Sequence, residues 1–181
     1  MKLFLTGESR VGKSTALQRA LEMVGLEAFG VETYFREGTR DLHIRAYGSK
    51  APGFFLARMP EGTGEDLRYG FDVMGAGLLR KARRRGEIIV VDEIGFLEEH
   101  CQGYRKELLN CLEGPKPLLA VLGRRGRLWM EEVLDRRDVQ ILELVPGNRE
   151  EAPIRIAQML LKNTRQAELS QEIFKNMLNV K

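Results

Sequence analysis

Gly7-Glu8-Ser9-Arg10-Val11-Gly12-Lys13-Ser14-Thr15 decides how the rest of the chain is read. It fits G-x-x-x-x-G-K-[ST], the phosphate-binding P-loop. Residues 1–6, MKLFLT, form a short apolar run that reads as a buried strand. Residues 13–23 read as a helix with Ala16, Leu17, Ala20 and Leu21 on one side. Strand, glycine loop and helix are the context the motif requires. Gly7 and Gly12 tolerate backbone angles that other residues resist, so the chain can approach a phosphate closely. The N–H groups of residues 7–15 then point at the anion, and the helix start adds partial positive charge. Lys13 supplies a point charge to the outer phosphates, and the Ser14 hydroxyl is placed for magnesium. Arg10 projects either to a phosphate or to solvent.

Working outward, the strongest second signal is Glu87-Ile88-Ile89-Val90-Val91-Asp92-Glu93. Four β-branched residues in a row suggest a strand buried on both faces, as in a parallel sheet. In a P-loop protein, an acid at the C-terminal end of such a strand holds magnesium, and Asp92 takes that position. Glu93, one residue further, is placed to orient or deprotonate an attacking water. An ordinary acidic pair at a strand end is the competing reading, and the upstream P-loop weighs against it. On a strand the two side chains would point to opposite faces, so Glu93 is expected to reach the phosphates where the strand turns into the loop at Ile94-Gly95.

The remaining segments alternate. Residues 26–35 and 42–47 read as a hairpin, and residues 53–59, bounded by Pro52 and Pro60, as a further antiparallel strand. Residues 61–65 read as a polar loop. Residues 66–85 read as a helix whose apolar face is Leu67, Phe71, Met74, Leu78 and Ala82, ended by Gly86. Its five basic residues between positions 80 and 85 suit a solvated helix C-terminus, where cations are favoured. Residues 104–112 form a helix with Leu108, Leu109 and Leu112 inward, and residues 117–122 another buried strand. The turn 123–127 follows, where Arg124 or its neighbour Arg125 is placed to steady charge on a terminal phosphate; a solvated basic turn is the alternative. A short helix at 128–134, a near-edge strand at 139–145, a loop holding Asn148 and Arg149, and a helix ending at 162 complete the pattern. The class is α/β, with a mainly parallel central sheet and a small antiparallel insertion.

At 181 residues, the chain suits one domain with a sizeable core. A net charge of +3 from 29 basic and 26 acidic residues is too even to argue for nucleic acid. Cys101 and Cys111 lack metal-ligand spacing and read as reduced thiols of a cytoplasmic protein. His43 and His100 form no zinc pattern. No apolar run reaches membrane-spanning length, and the N-terminal one is too short for a signal peptide.

Four stretches together resemble the nucleoside-triphosphatase family first described from thermophiles. They are residues 7–15, Gly30-Val31-Glu32-Thr33 followed by Arg36, Val91-Asp92-Glu93-Ile94-Gly95-Phe96-Leu97-Glu98, and Asn148-Arg149. The resemblance covers residues 1 to about 155, and its D-E-I-G-x-[ML]-E element is far more specific than the P-loop. It implies a RecA-like P-loop fold, a three-layer sandwich. It also implies Mg²⁺ dependence and slow hydrolysis of several nucleoside triphosphates to diphosphate and phosphate. Asn148 and Arg149 would lie against the base or ribose. The chain departs from the pattern at Ser9, where Pro is frequent, and at Leu97, where Met is usual. It departs again at Phe35, which stands where an acid is expected and cannot do a carboxylate's work. Residues 163–181 read as a helical extension outside the resemblance, with Leu169, Ile173, Phe174, Met177 and Leu178 on one face. That face suits packing on the domain, on a partner or on a second copy. Two other functions share these motifs: a nucleotide or small-metabolite kinase, and a nucleotide-gated interaction module.

Overall fold

The computed structural model describes residues 1–60 and 64–162. The greater part of the 61–65 loop and the whole 163–181 extension lie outside the described residues. In chain order the elements are β1 (Lys2–Gly7), α1 (Lys13–Val24), β2 (Ala28–Phe35), β3 (Asp41–Ala46), β4 (Phe54–Arg58) and α2 (Glu65–Tyr69). A π-helical segment (Gly70–Gly75), α3 (Ala76–Arg84), β5 (Ile88–Ile94), a 3₁₀ turn (Leu97–His100), α4 (Gln102–Glu113) and β6 (Leu118–Leu122) follow. The chain continues through α5 (Glu131–Leu134), β7 (Val139–Leu144) and α6 (Ala152–Lys162).

Among the described residues, seven strands form one sheet in the order β4-β3-β2-β5-β6-β1-β7. β2, β5, β6, β1 and β7 run parallel, while β3 and β4 are antiparallel additions at one edge. β7 closes the other edge, where its alternating sequence had put it.

The period-two geometry of a strand explains the layering. Leu3 and Leu5 of β1, Ile88 and Val90 of β5, and Leu119 and Val121 of β6 face the same way, onto Leu17, Ala20, Ile156 and Leu160 of α1 and α6. Phe4, Ile89, Val91, Leu118 and Ala120 face the opposite way, onto Phe71, Leu79, Tyr104 and Leu108 of the helices between β4 and β6. Helices cover both faces of the sheet, giving the three layers expected. Each of these core residues is at most 1% exposed. Cutting one such leucine to alanine costs about 2–5 kcal/mol.

Two expected helix faces and one expected helix start are corrected. In the helix after β4, Met74 is 41% exposed, and Leu79 rather than Leu78 is fully buried. The π-helical segment carries more residues per turn, so the apolar stripe is rotated beyond it. On α4, Leu109 is 42% exposed; Tyr104, Glu107, Leu108, Cys111 and Leu112 point inward. Glu107 tolerates this position because Arg80 and Arg83 bond its two carboxylate oxygens at 3.2 and 3.0 Å. That pairing also accounts for part of the basic run at the end of α3. Finally, the short helix after β6 begins at Glu131, and Leu128 stays outside it, 79% exposed.

Both cysteines are free and buried, and burial pushes their thiols up to about 11 and about 12, so they are neutral at pH 7. No helix among the described residues is long and apolar enough to cross a membrane.

Candidate functional site

The C-terminal ends of β1, β5 and β6 converge with the start of α1, and Lys13, Ser14, Asp92, Glu93 and Arg124 gather there. Gly7 leaves β1 with φ +130°, and a Cβ on it would lie 2.3 Å from the Leu144 carbonyl oxygen of β7. A glycine is required on both counts. Gly12, with φ 106°, sits at the N-cap of α1, so the first turn of the helix leaves the loop directly. Among the described residues no side chain caps that turn, which leaves its N–H groups to an anion. Glu8, Ser9 and Arg10 are exposed, and Arg10 takes a left-handed conformation at φ 62°.

Lys13 is almost fully buried, and its ammonium donates to the carbonyls of Gly7 and Glu8 at 3.1 and 2.9 Å. Ser14 Oγ donates to Asp92 Oδ1 at 3.0 Å. Burial pushes the Asp92 carboxyl up to about 6. The Ser14 hydroxyl and the Lys13 charge oppose that rise, while the Glu93 and Glu32 charges add to it. A carboxylate with this cost of ionisation is suited to a cation.

Glu93 departs from expectation in where it turns. β5 continues through Ile94, and its register against β6 shifts between Val91 and Ile94. The change of direction is therefore inside the strand end rather than at Ile94-Gly95. The Glu93 N–H points at Thr33 Oγ1 of β2, 3.4 Å away. Its carboxylate lies against the start of the next loop, where a Cβ on Gly123 would be 3.0 Å from Oε1. Although Glu93 opens to solvent, the surrounding atoms raise its carboxyl, and the Lys13 charge opposes them.

Arg124 and Arg125 are separated by the fold. Arg124 pairs with Glu8 of the P-loop. The Arg125 guanidinium instead stacks over Phe96, 5.1 Å from the ring centroid. Asn148 spends its side chain on its own loop, donating to the Glu143 carbonyl at 2.9 Å and accepting from Val145 N–H at 3.0 Å. Arg149 is exposed and pairs with Glu150 at 3.3 Å. Their loop follows β7, which lies in register beside Gly7 through Leu144.

Several residues at the site were not singled out from sequence. Trp129 Nε1 donates to the Gly95 carbonyl at 2.7 Å, and Gly126 packs so closely that a Cβ would be 2.4 Å from the Ile94 carbonyl oxygen. The loop carrying Arg124 is thus clamped to the loop that follows Glu93. Glu98, noted only through the family pattern, folds back so that both its oxygens accept the Gly95 N–H, at 3.2 and 3.1 Å. The Trp129 and Gly126 contacts join segments tens of residues apart, and no local spacing announces them.

A family model described as NTPase matches residues 2–157. Nucleoside-triphosphatase THEP1 of Thermofilum pendens is 29% identical over 174 residues, covering 84% of this chain and 91% of that protein. The protein of the same name from Methanosarcina acetivorans is 29% identical over 175 residues, covering 90% of this chain and 98% of that one. Among solved structures, the crystal structure of THEP1 from the hyperthermophile Aquifex aeolicus has a TM-score of 0.72 at 25% identity. It covers 88% of this chain and 99% of that chain.

Proposed function

Because the chain belongs to the NTPase family, we propose that it hydrolyses nucleoside 5′-triphosphates to diphosphate and phosphate with the residues gathered around the P-loop. The observation that carries this assignment is the Ser14–Asp92 hydrogen bond beside the buried Lys13, which puts loop, helix start and strand-end acid in one place. Residues 7–15 bind the triphosphate through backbone N–H groups, and Lys13 offsets the charge of its outer phosphates.

The donor set fits magnesium. Ser14 and Asp92 offer hard oxygen ligands, and among the described residues no cluster of three His, Cys, Asp or Glu could hold a metal alone. Mg²⁺ ordinarily takes one or two protein oxygens and completes its shell with phosphates and water. Ser14 and Asp92 would hold the ion, which supplies charge to offset the β- and γ-phosphate oxygens.

Glu93 accepts a hydrogen bond from a water molecule and aims it at the γ-phosphorus. As the new P–O bond forms, the bond to the β-phosphate oxygen breaks, the diphosphate leaves, and the water proton passes to Glu93. Arg124 exchanges its Glu8 partner for the γ-phosphate and acts as an arginine finger in cis. Arg149 lies on the loop that would flank the base, in the shape Asn148 imposes on it. A stacking contact there, rather than hydrogen bonds to base edges, suits the use of several triphosphates.

The test is release of inorganic phosphate from ATP, GTP, CTP and UTP, each with and without Mg²⁺, with no phosphoryl acceptor added. Release from more than one triphosphate that stops on chelation is expected. Release that needs an added acceptor, or that ignores chelation, would overturn the assignment.

A further inference from the structure

A cleft of about 540 Å³ opens on the α1 side of β2 and β3 and reaches the site at one end. That volume is in the range of small-molecule sites. Of the P-loop residues, only Ser14 lines it, so its occupant would lie beside the triphosphate rather than in its place. The walls of the cleft combine acidic and apolar side chains.

The end nearest the site presents Ser14, Asp92 and Glu32. Asp92 and Glu32 are register partners on the parallel strands β5 and β2, so their carboxylates stand side by side. Glu32 is fixed there. The Arg45 guanidinium bonds it, and Arg45 in turn lies over the Tyr34 ring at 4.2 Å. One wall is apolar: Leu21 and Leu26 are buried, and Tyr47 packs against the same core cluster while its phenol feels the Asp92 and Glu32 charges. Burial raises the Tyr47 phenol, so its hydroxyl stays protonated as a donor.

Charge narrows the ligand further. Asp92, Glu32 and Glu22 set three carboxylates against two cations, Arg45 and Lys50, and Arg45 is already committed to Glu32. A phosphorylated ligand would bring its anion to a wall of net negative charge. An uncharged one with hydroxyl donors meets no such repulsion and can donate to the lone pairs that Ser14, Gln18, Arg45 and the Gly48 N–H leave open on these carboxylates.

We infer that this cleft binds a neutral, ring-bodied molecule bearing hydroxyl groups, the chemistry of a nucleoside. Its ring packs on Leu21, Leu26 and Tyr47, and its hydroxyls reach Glu32 and Asp92. The site goes beyond triphosphate hydrolysis, and its occupancy is measured without any triphosphate, so its failure would leave the proposed hydrolysis standing.

The experiment is calorimetric titration of the full chain with adenosine, AMP and ribose in turn. Adenosine should bind, and AMP should bind at least about tenfold more weakly because its phosphate meets the carboxylates. Ribose, which lacks the ring, should bind more weakly than adenosine. Gln18→Trp places an indole in the cleft from an exposed position on α1. It should weaken adenosine by roughly tenfold or more while phosphate release from ATP stays within about twofold of wild type. Ser49→Trp, from the opposite rim, should do the same. Absence of adenosine binding would overturn the inference, as would AMP binding as tightly as adenosine. Unchanged adenosine affinity in both tryptophan variants would also overturn it, by putting adenosine at the P-loop instead.

Discussion

Ser14 Oγ and Asp92 Oδ1, 78 positions apart in sequence, meet at 3.0 Å and join the first turn of α1 to the end of β5. The bond brings a hydroxyl and a half-buried carboxylate to the spot where the P-loop would present a triphosphate. Asp92→Asn is nearly isosteric and should keep the fold, because the amide oxygen still accepts from Ser14. It removes the charge that attracts the cation. The variant should need several-fold more Mg²⁺ for half its maximal rate. An Mg²⁺ titration superimposable on wild type would show that another residue holds the metal.

Arg124 and Arg125 give a paired prediction. Only Arg124 bonds the P-loop, through Glu8, whereas Arg125 rests on Phe96. Arg124→Ala should lower kcat by about tenfold or more, a small part of what an arginine finger is worth at most. Arg125→Ala should change it little. Steady-state kinetics of both variants under saturating triphosphate check this, and equal effects would remove Arg124 from the mechanism.

Trp129 holds the Gly95 carbonyl, and through it the loop that follows Glu93. Trp129→Phe keeps an aromatic ring but loses the donor. A lost hydrogen bond of about 1 kcal/mol corresponds to roughly a fivefold change when it is felt in the transition state. The expected outcome is a kcat lower by about that factor with KM near wild type. A change confined to thermal stability would make the tryptophan purely structural.

Much of this arrangement was legible in the sequence, for physical reasons. β1, β5 and β6 are buried on both faces, so each reads as an unbroken apolar run. The P-loop and Asp92 are recognisable because their chemistry depends on local spacing. Helix faces were read less well. The π-helical turn at Gly70–Gly75 rotates the stripe from Leu78 to Leu79, and hydrophobicity alone does not reveal that turn. Leu109 was read as inward because it is apolar, but Glu107 is inward because two arginines neutralise it. Glu8–Arg124 and Trp129–Gly95 depend on how distant loops meet, which no pattern of spacing encodes.

Glu98 makes a prediction about pH. Burial pushes its carboxyl from the ordinary 4.5 up to about 7, although the Gly95 N–H favours the charged form. The folded protein therefore holds this proton more tightly than the unfolded chain. Stability from this group is complete below about 4.5 and falls as pH rises towards 7, by up to about 3 kcal/mol. Glu98→Gln cannot ionise and should escape the fall. Urea denaturation of both proteins at pH 5 and pH 8 measures the difference, and parallel pH dependence in the two would refute the assignment.

Glu93 decides whether the site is built to hydrolyse or only to bind. Its carboxylate lies beside Gly123, at the start of the loop that carries Arg124, and within the influence of the Lys13 charge. Glutamine at this position keeps size and shape but cannot take a proton from water. The most direct measurement is a single-turnover assay of Glu93→Gln alongside an equilibrium titration with the same triphosphate and Mg²⁺. Binding should match wild type while the chemical step slows by roughly 10²–10⁴, the usual worth of a positioned acid–base group. Near-normal turnover with intact binding would contradict the account.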